Sequence, residues 1–494
     1  MVSSVSQNPN VTRTSIFYIN DIHGQTKNME KITSASKNFD SFTPSGVDKL
    51  KLSAGDTMLG HDEKLNIAAN KFLNANNIMA SAVGNHEFDI DNKKFLNIIK
   101  DSTCKMMGFN TKIDPEGQFN NKLVSSYIQE SNGNKYGIIG LMPYDLYTRI
   151  KNKPQGLEIE NEEETTKQVQ AEVNKMKEQG ISKIIVLSHT GYEQEKRLAQ
   201  NVEGIDVIIG GHSHDLVYGV KEGENLFYSK KTGEPTIITQ GGRDGSHFGI
   251  LNLMFDKDGV ITDVQNNVAN TNDFKRNLGI QKVFDNILGD SEKIGTVASA
   301  PTMPEKVLLT ENPHADFIAD AMRKELKTDI AFINSANIRG AFEAGPISAR
   351  DVSGITPFKN KMTIINVTEK ELVDALKYTS KSVLAADGKP GLMQVSGLRY
   401  TINKKGELLD LNFTDKDGNT NKIDVNNPNI FKKYSVAVDD FCSKGRDGYG
   451  MLKKFDEPDT IRFDYDKDKI TVDYIKKQTE PIIIKADGRI QIVD

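Results

Sequence analysis

The sequence predicts an α/β fold, and three features predict it. Short β-rich apolar runs recur through the first half and end in polar or glycine-rich turns. Helical segments lie between some of these runs. Histidines and carboxylates collect where the runs end. Strand, polar loop, helix, strand is the pattern of a layered α/β fold, in which ligands gather where loops leave the strand ends.

In order, Ile16-Phe17-Tyr18-Ile19 leads into Asn20-Asp21-Ile22-His23-Gly24, and Leu50 and Leu52 lead to Gly55-Asp56. Ile78 to Val83 leads to Gly84-Asn85-His86-Glu87. Ile184 to Leu187 leads to Ser188-His189, and Val207 to Ile209 leads to Gly210-Gly211-His212-Ser213-His214. Leu65, Ala68, Ala69 and Phe72 share one helical face, as do Val169, Val173 and Met176 ahead of a stop at Gly180. The stretch from Asp256 to Asp273 reads as a polar loop with an Asp-Gly turn at 258–259, followed by a helix over Phe274 to Leu288. A second domain is expected from about Ile294. It contains a helix at Phe317 to Leu326 and another after Thr368, whose Thr368-x-x-Glu371 spacing is a capping box.

The 494 residues are too many for one ordinary core, so two domains are expected. With 37% hydrophobic and 27% charged residues, the composition is that of a globular protein rather than a disordered or membrane one. A net charge of -5 and the lack of a basic stripe argue against a long nucleic-acid partner. An anionic substrate would need a local cation cluster, which metal ions could supply. Two cysteines exclude a disulfide framework and make a thiolate zinc site a poor reading. Met1 to Thr14 lacks the basic and apolar regions of a signal peptide, and no apolar run approaches the ~20 residues of a membrane span. As written the chain is expected in the cytoplasm, or in the periplasm or outside the cell if a signal was trimmed.

Asp21-x-His23 puts a carboxylate and an imidazole two residues apart, a donor pair suited to Zn, Mn, Co or Fe. Alone it is a weak signal and reads sooner as a solvated turn. Asp56 alone reads as a turn aspartate, and Asn85 as a helix cap. The set as a whole carries the signal. Of eight histidines, five (His23, His86, His189, His212, His214) directly follow strand-like runs, where packing has no use for imidazoles. His61, His247 and His314 match none of these loops; His61 and His247 read as near-site or surface residues.

These motifs resemble the calcineurin-like metallophosphoesterase superfamily, whose order is Asp-x-His, Gly-Asp, Gly-Asn-His-Asp/Glu, His and Gly-His-x-His. All five blocks stand here in that order. The resemblance implies an N-terminal four-layer α/β/β/α sandwich with two divalent cations, Zn, Mn or Co. It places one metal on Asp21, His23 and His214, and a second on Asn85, His189 and His212, with Asp56 bridging. Two cations ~3.5–4 Å apart neutralise a phosphate ester and hold its nucleophile in line. Bound water loses a proton near pH ~7, so a metal-bound hydroxide is the expected attacking group. His86 would then stabilise the transition state or protonate the leaving oxygen, and Asp89 would orient its ring.

The second half is similar to the substrate-specificity domain of the 5′-nucleotidase family, an α+β domain that follows the metal domain in one chain. Asn334-Ser335-Ala336-Asn337-Ile338-Arg339 resembles Asn-x-Gly-Gly-Ile-Arg, and Thr356-Pro357-Phe358-Lys359-Asn360 resembles Pro-Phe-x-Asn. Val395 to Tyr400 matches a Ser-Gly-Leu block, Asp440-Phe441 with Gly445 to Tyr449 matches Asp-Phe…Gly-x-Asp-Gly-Tyr, and Asp487 to Ile490 fits the family's ending. The implied domains are residues 1–275, a linker helix at 276–293, and 294–494. The implied substrate contacts are Phe358 and Phe441 clamping the base, Asp447 on the ribose, Arg339 with Asn334 at the phosphate, and Asn360 at the base. Two departures stand out. Ala336 and Asn337 replace glycines, and Thr310 stands where the family usually has a phosphate-binding arginine, for which Lys306 or His314 could substitute.

The sequence is therefore read as a hydrolase releasing phosphate from nucleoside 5′-monophosphates, with a small-molecule nucleotide as its partner. Within the class the alternatives are a 2′,3′-cyclic-nucleotide 2′-phosphodiesterase with 3′-nucleotidase activity and a UDP-sugar hydrolase. Outside it stands a non-catalytic nucleotide-binding module.

Overall fold

The computed structural model describes residues 11–150, 153–289, 291–304, 306–385 and 388–494. Contacts divide the chain into two units, Met1–Gly289 and Asp290–Asp494.

The first unit is a four-layer sandwich around two six-stranded sheets. One sheet runs Ile261–Asn270, His247–Phe255, Thr12–Ile19, Asp48–Ser53, Ala80–Ala82, Lys105–Met107 across its width; the other runs Leu226–Tyr228, Pro235–Thr239, Val207–Gly210, Lys183–Ser188, Asn134–Leu141, Ser126–Ser131. Central strands are buried on both faces, which is why they read as continuous apolar runs. Ile16 and Tyr18 face the core between the sheets, together with Ile185, Leu187, Val207 and Ile209 of the other sheet. Their neighbours Phe17 and Ile19 face outward into a core with Met29, Ile32, Ala68 and Phe72 of the helices Thr26–Phe42 and Glu63–Ala75. On the far side, Ile184 and Val186 meet Val169, Val173 and Met176 of the helix Glu162–Glu178. Each strand thus serves two cores through its period of two.

Two sequence readings differ here. Residues Ile261–Asn270, expected as loop, form an edge strand antiparallel to His247–Phe255. Its polar residues sit mostly on an exposed face, while Asn266 is buried and accepts a 2.8 Å bond from the Tyr18 hydroxyl. An edge strand with one wet face carries too few apolar residues to read as a strand. The turn at Asp256–Val260 is as expected, with Gly259 at φ +87°. The helix expected from Phe274 spans Leu278–Leu288, capped by Asn277. It buries Ile280 and Phe284 in the core beneath the first sheet, so it is part of the first unit's packing.

The second unit is α+β. Its five-stranded sheet runs Met393–Ser396, Ile330–Asn334, Lys433–Asp439, Lys361–Thr368, Ile461–Asp466, beside a four-stranded and a three-stranded sheet. The helix Pro313–Leu326 packs on it, and Glu369–Ser380 begins with the full capping box of Thr368 and Glu371. Ile330–Asn334 and Lys433–Asp439 are parallel, so Asn334 and the short helix Asp440–Ser443 emerge at one edge of the sheet.

Candidate metal centre

All five sequence blocks follow strands. Thr12–Ile19, Asp48–Ser53 and Ala80–Ala82 are mutually parallel, as are Lys183–Ser188 and Val207–Gly210. Within each sheet their carboxyl ends therefore share one edge, the place where open α/β sheets offer loops to a ligand. The loops are bent tightly. Asp21, His23, Asp56, His212 and His214 all lie in the left-handed region, with φ between 49° and 75°. That conformation is uncommon and costly for residues with a Cβ, and it concentrates at functional sites. Two glycines let the loops touch. A Cβ on Gly84 would stand 2.1 Å from Asp56 Oδ1, and one on Gly55 would stand 2.9 Å from His189 Nδ1 at φ +98°.

The side chains converge. Ligand atoms of Asp21, His23 and His214 lie within 4.8 Å of one another, as do those of Asp21, Asp56 and His189, and those of His23, Asp56 and His86. His212 Nδ1 and Asn85 Oδ1 are 2.9 Å apart, and the His189 and His212 rings are 5.1 Å apart. Second partners fix the rings. His23 Nδ1 is 2.9 Å from Asp244 Oδ1, and His189 Nδ1 is 2.6 Å from the Ala54 carbonyl. Each bond turns the ring's Nε2 toward the carboxylates, 3.5 Å from Asp56 Oδ2 for His23 and 3.0 Å for His189. Yet both Nε2 atoms are buried without a hydrogen bond among the described residues. Buried polar atoms left this way are rare in folded proteins, and imidazole nitrogens facing carboxylates are the donor set of a divalent transition metal. The residues present fit two such cations.

Electrostatics point the same way. Burial opposes charge on Asp21, but the His214 hydrogen bond and the charges of His214, His189 and His23 hold it at about 2. Burial likewise opposes charge on Asp56, which His189 and His86 nonetheless keep well below the usual carboxylate range. Burial disfavours the charged His189 ring, but Asp56 lifts it to about 10; His23 rises to about 9 against its burial, through Asp244 and Asp56. Two ionised carboxylates thus draw positive charge to this spot.

His86 and Asp89 meet as a pair, with Nδ1 2.7 Å from Oδ2. His61 is exposed. His247 opens a strand, with its ring beside Ser246 and Tyr218.

Three supporting residues were not singled out from the sequence. Glu87 is fully buried and accepts the backbone N–H groups of Asp56, Thr57, Met58 and Gly84 at 2.8–3.2 Å, joining two ligand loops. Burial and the nearby Asp56 push it up to about 7. Asp244 holds His23. Glu195, also fully buried, accepts from Gln240 Nε2 at 2.8 Å and from Gly211 N at 3.4 Å, beneath the Gly-Gly-His loop. Glu87 carried a signal in its place beside Asn85-His86; the others sit in segments with no motif.

In the second unit, Asn334 Nδ2 donates to Asp447 Oδ2 at 3.1 Å, and Asp447 takes φ 51°. The Arg339 guanidinium lies 5.5 Å from the centre of the Phe358 ring, in cation–π range. Phe358, Asn360 and Phe441 are half-buried, with Phe441 packed on the core of its unit. His314 is buried, stands beside the Phe342 ring and accepts the Phe342 N–H, so it is a core residue and not a phosphate-binding substitute for the missing arginine.

A four-layer sandwich with candidate Asp, Asn and His ligands on its strand-end loops defines a metallophosphoesterase. Residues 14–216 match the calcineurin-like phosphoesterase family, and residues 293–454 match the 5′-nucleotidase C-terminal domain. The chain belongs to the 5′-nucleotidase family, in which these two domains are joined, and is a phosphoric ester hydrolase. It is 27% identical to the trifunctional nucleotide phosphoesterase protein YfkN of Bacillus subtilis over 90% of this chain, but spans only 32% of that protein. It is 24% identical to a probable 5′-nucleotidase of Treponema pallidum, covering 75% of this chain and 72% of the relative. The 5′-nucleotidase precursor of Thermus thermophilus shares the fold with a TM-score of 0.73 at 21% identity, covering 98% of this chain and 99% of its own. No helix among the described residues is long and apolar enough to cross a membrane.

Proposed function

We propose that the chain releases phosphate from nucleoside 5′-monophosphates at two divalent cations, Zn, Mn or Co. One is held by Asp21, His23 and His214, the other by Asn85, His189 and His212, with Asp56 shared. The observation that carries this reading is the pair of buried Nε2 atoms of His23 and His189, both turned to Asp56 with no hydrogen bond among the described residues. When bound, such cations neutralise the phosphate ester and supply a nucleophile at neutral pH.

The chain's own residues do the rest. Asp89 accepts a hydrogen bond from Nδ1 of His86, which leaves Nε2 to face the leaving oxygen and to protonate it. Phe358 and Phe441 stack on the base, Asn360 contacts it, and Asp447, braced by Asn334, accepts from the ribose hydroxyls. Arg339, placed over Phe358, pairs with phosphate through its forked guanidinium. Relatives described as an NAD 5′-nucleotidase of Haemophilus influenzae, 27% identical over 78% of this chain, and as the trifunctional enzyme support a nucleotide substrate.

A 2′,3′-cyclic-nucleotide phosphodiesterase with 3′-nucleotidase activity is the second reading, and the lost arginine favours neither of the two strongly. Thr310 brings no cation, and its hydroxyl donates to the Lys306 carbonyl. Chelation tests the core of the proposal. Phosphate release from AMP should vanish in EDTA and return with Mn or Zn; activity that persists in EDTA would refute it.

A further inference from the structure

A sixth loop reaches the centre. The strand Asn134–Leu141 is parallel to Lys183–Ser188, so it ends at the same edge as the His189 loop, and the Leu141 carbonyl accepts the His189 N–H at 2.9 Å. Asn110, fully buried, then clamps the chain at Met142 from both sides, accepting its N–H at 2.7 Å and donating to its carbonyl at 2.9 Å. Three residues on stands Asp145. Its Oδ1 is buried, has no hydrogen bond among the described residues, and lies 3.0 Å from His212 Nε2. Its Oδ2 accepts from Arg149 Nε at 2.6 Å, one helical turn later.

A carboxylate offers acceptors only, so the His212 tautomer that complements Asp145 at 3.0 Å carries its proton on Nε2. In the neutral ring, Nδ1 then presents a lone pair, and that atom stands 2.9 Å from Asn85 Oδ1. The Asn85 oxygen is an acceptor too, so two acceptors face each other across a gap that no proton fills. Such a pair is complementary to a cation. His23 and His189 have their own partners in Asp244 and the Ala54 carbonyl; Asp145 completes the set for His212.

We infer that Asp145 is a positioning residue that fixes the tautomer and ring orientation of His212 and so sets the affinity of the second metal, with Arg149 holding the carboxylate in place. This rests on the assignment of Asn85, His189 and His212 to that metal. Outer carboxylates on metal-binding imidazoles are worth about 10–100-fold in metal affinity.

The test is titration of the metal-free full chain with Mn2+, counting sites and their Kd, for the wild type, Asp145→Ala and Asp145→Asn. The inference predicts two sites in the wild type. Asp145→Ala should weaken one of them about 10–100-fold and spare the other. Asp145→Asn, which still offers an oxygen to Nε2–H, should recover most of the loss. Thermal melting of the metal-free variants controls for folding. Two wild-type-like sites in Asp145→Ala would overturn the role of Asp145 and leave the centre intact. Equal weakening of both sites, with a lowered melting temperature and no rescue by asparagine, would make Asp145 merely structural. No Mn2+ binding by the wild type would refute the two-metal assignment itself.

Discussion

His86 and Asp89 are joined by a 2.7 Å contact from Nδ1 to Oδ2, and the same Oδ2 accepts the Gly60 N–H at 2.8 Å. The carboxylate is thus anchored to the loop beyond Asp56 while it holds the ring. Burial opposes its charge, but His86 and the Gly60 bond keep Asp89 below the usual carboxylate range, so it remains ionised at neutral pH.

The first prediction concerns this pair. General acid catalysis contributes ~100- to 10,000-fold, so His86→Ala should lower kcat by about that factor while bound metal is unchanged. Asp89→Asn should fall in between, because asparagine can still accept from Nδ1 but offers no charge to an imidazolium. Steady-state kinetics alongside elemental analysis of the protein would check both.

Glu87 should matter for stability before chemistry. Glu87→Gln replaces one acceptor oxygen with an NH2 group facing backbone N–H groups of the Asp56 and Gly84 loops. A buried donor left without a partner costs ~1–3 kcal/mol, so the metal-free variant should melt several degrees below the wild type. Thermal unfolding followed by circular dichroism measures this.

Asp316 gives a pH signature in the second unit. It is 1% exposed, neither carboxyl oxygen accepts a hydrogen bond from a described residue, and Arg489 Nε is 3.6 Å away. Burial pushes it up to about 9. The folded chain therefore keeps a proton that the unfolded chain loses near pH ~3.9, and folding stability falls as pH rises from there toward 9. Asp316→Asn, which stays neutral, should remove part of that slope and be the more stable form at pH 8. Urea unfolding at pH 5, 6.5 and 8 would show it, and parallel slopes in the two proteins would contradict it.

The base-stacking assignment predicts a KM effect. Stacking is worth ~1–3 kcal/mol per base, so Phe358→Ala and Phe441→Ala should each raise KM for AMP about 5- to 100-fold. Hydrolysis of a phosphate ester without a base should be nearly unaffected, as comparison of AMP with p-nitrophenyl phosphate would show.

Much of this was legible in the sequence, for a physical reason. The ligand loops follow strands buried on both faces, so each block appears as an apolar run broken by polar donors. The capping box at Thr368 is equally local. What the sequence hid is what depends on partners far along the chain. Asp244 acts on His23 from 221 residues away, and Asp145 reaches His212 from a loop after a different strand. The edge strand Ile261–Asn270 was concealed by its wet face, and His314 by a burial that no neighbouring residue announces.

The most direct test is phosphate release by the Mn-loaded protein from AMP, UMP, 3′-AMP, 2′,3′-cyclic AMP and a UDP-sugar, beside Asp56→Ala. Preference for the 5′-monophosphates is expected, and its loss in the variant, which lacks the carboxylate proposed to be shared by both metals. Silence on every nucleotide with metals bound, or full activity in Asp56→Ala, would contradict it.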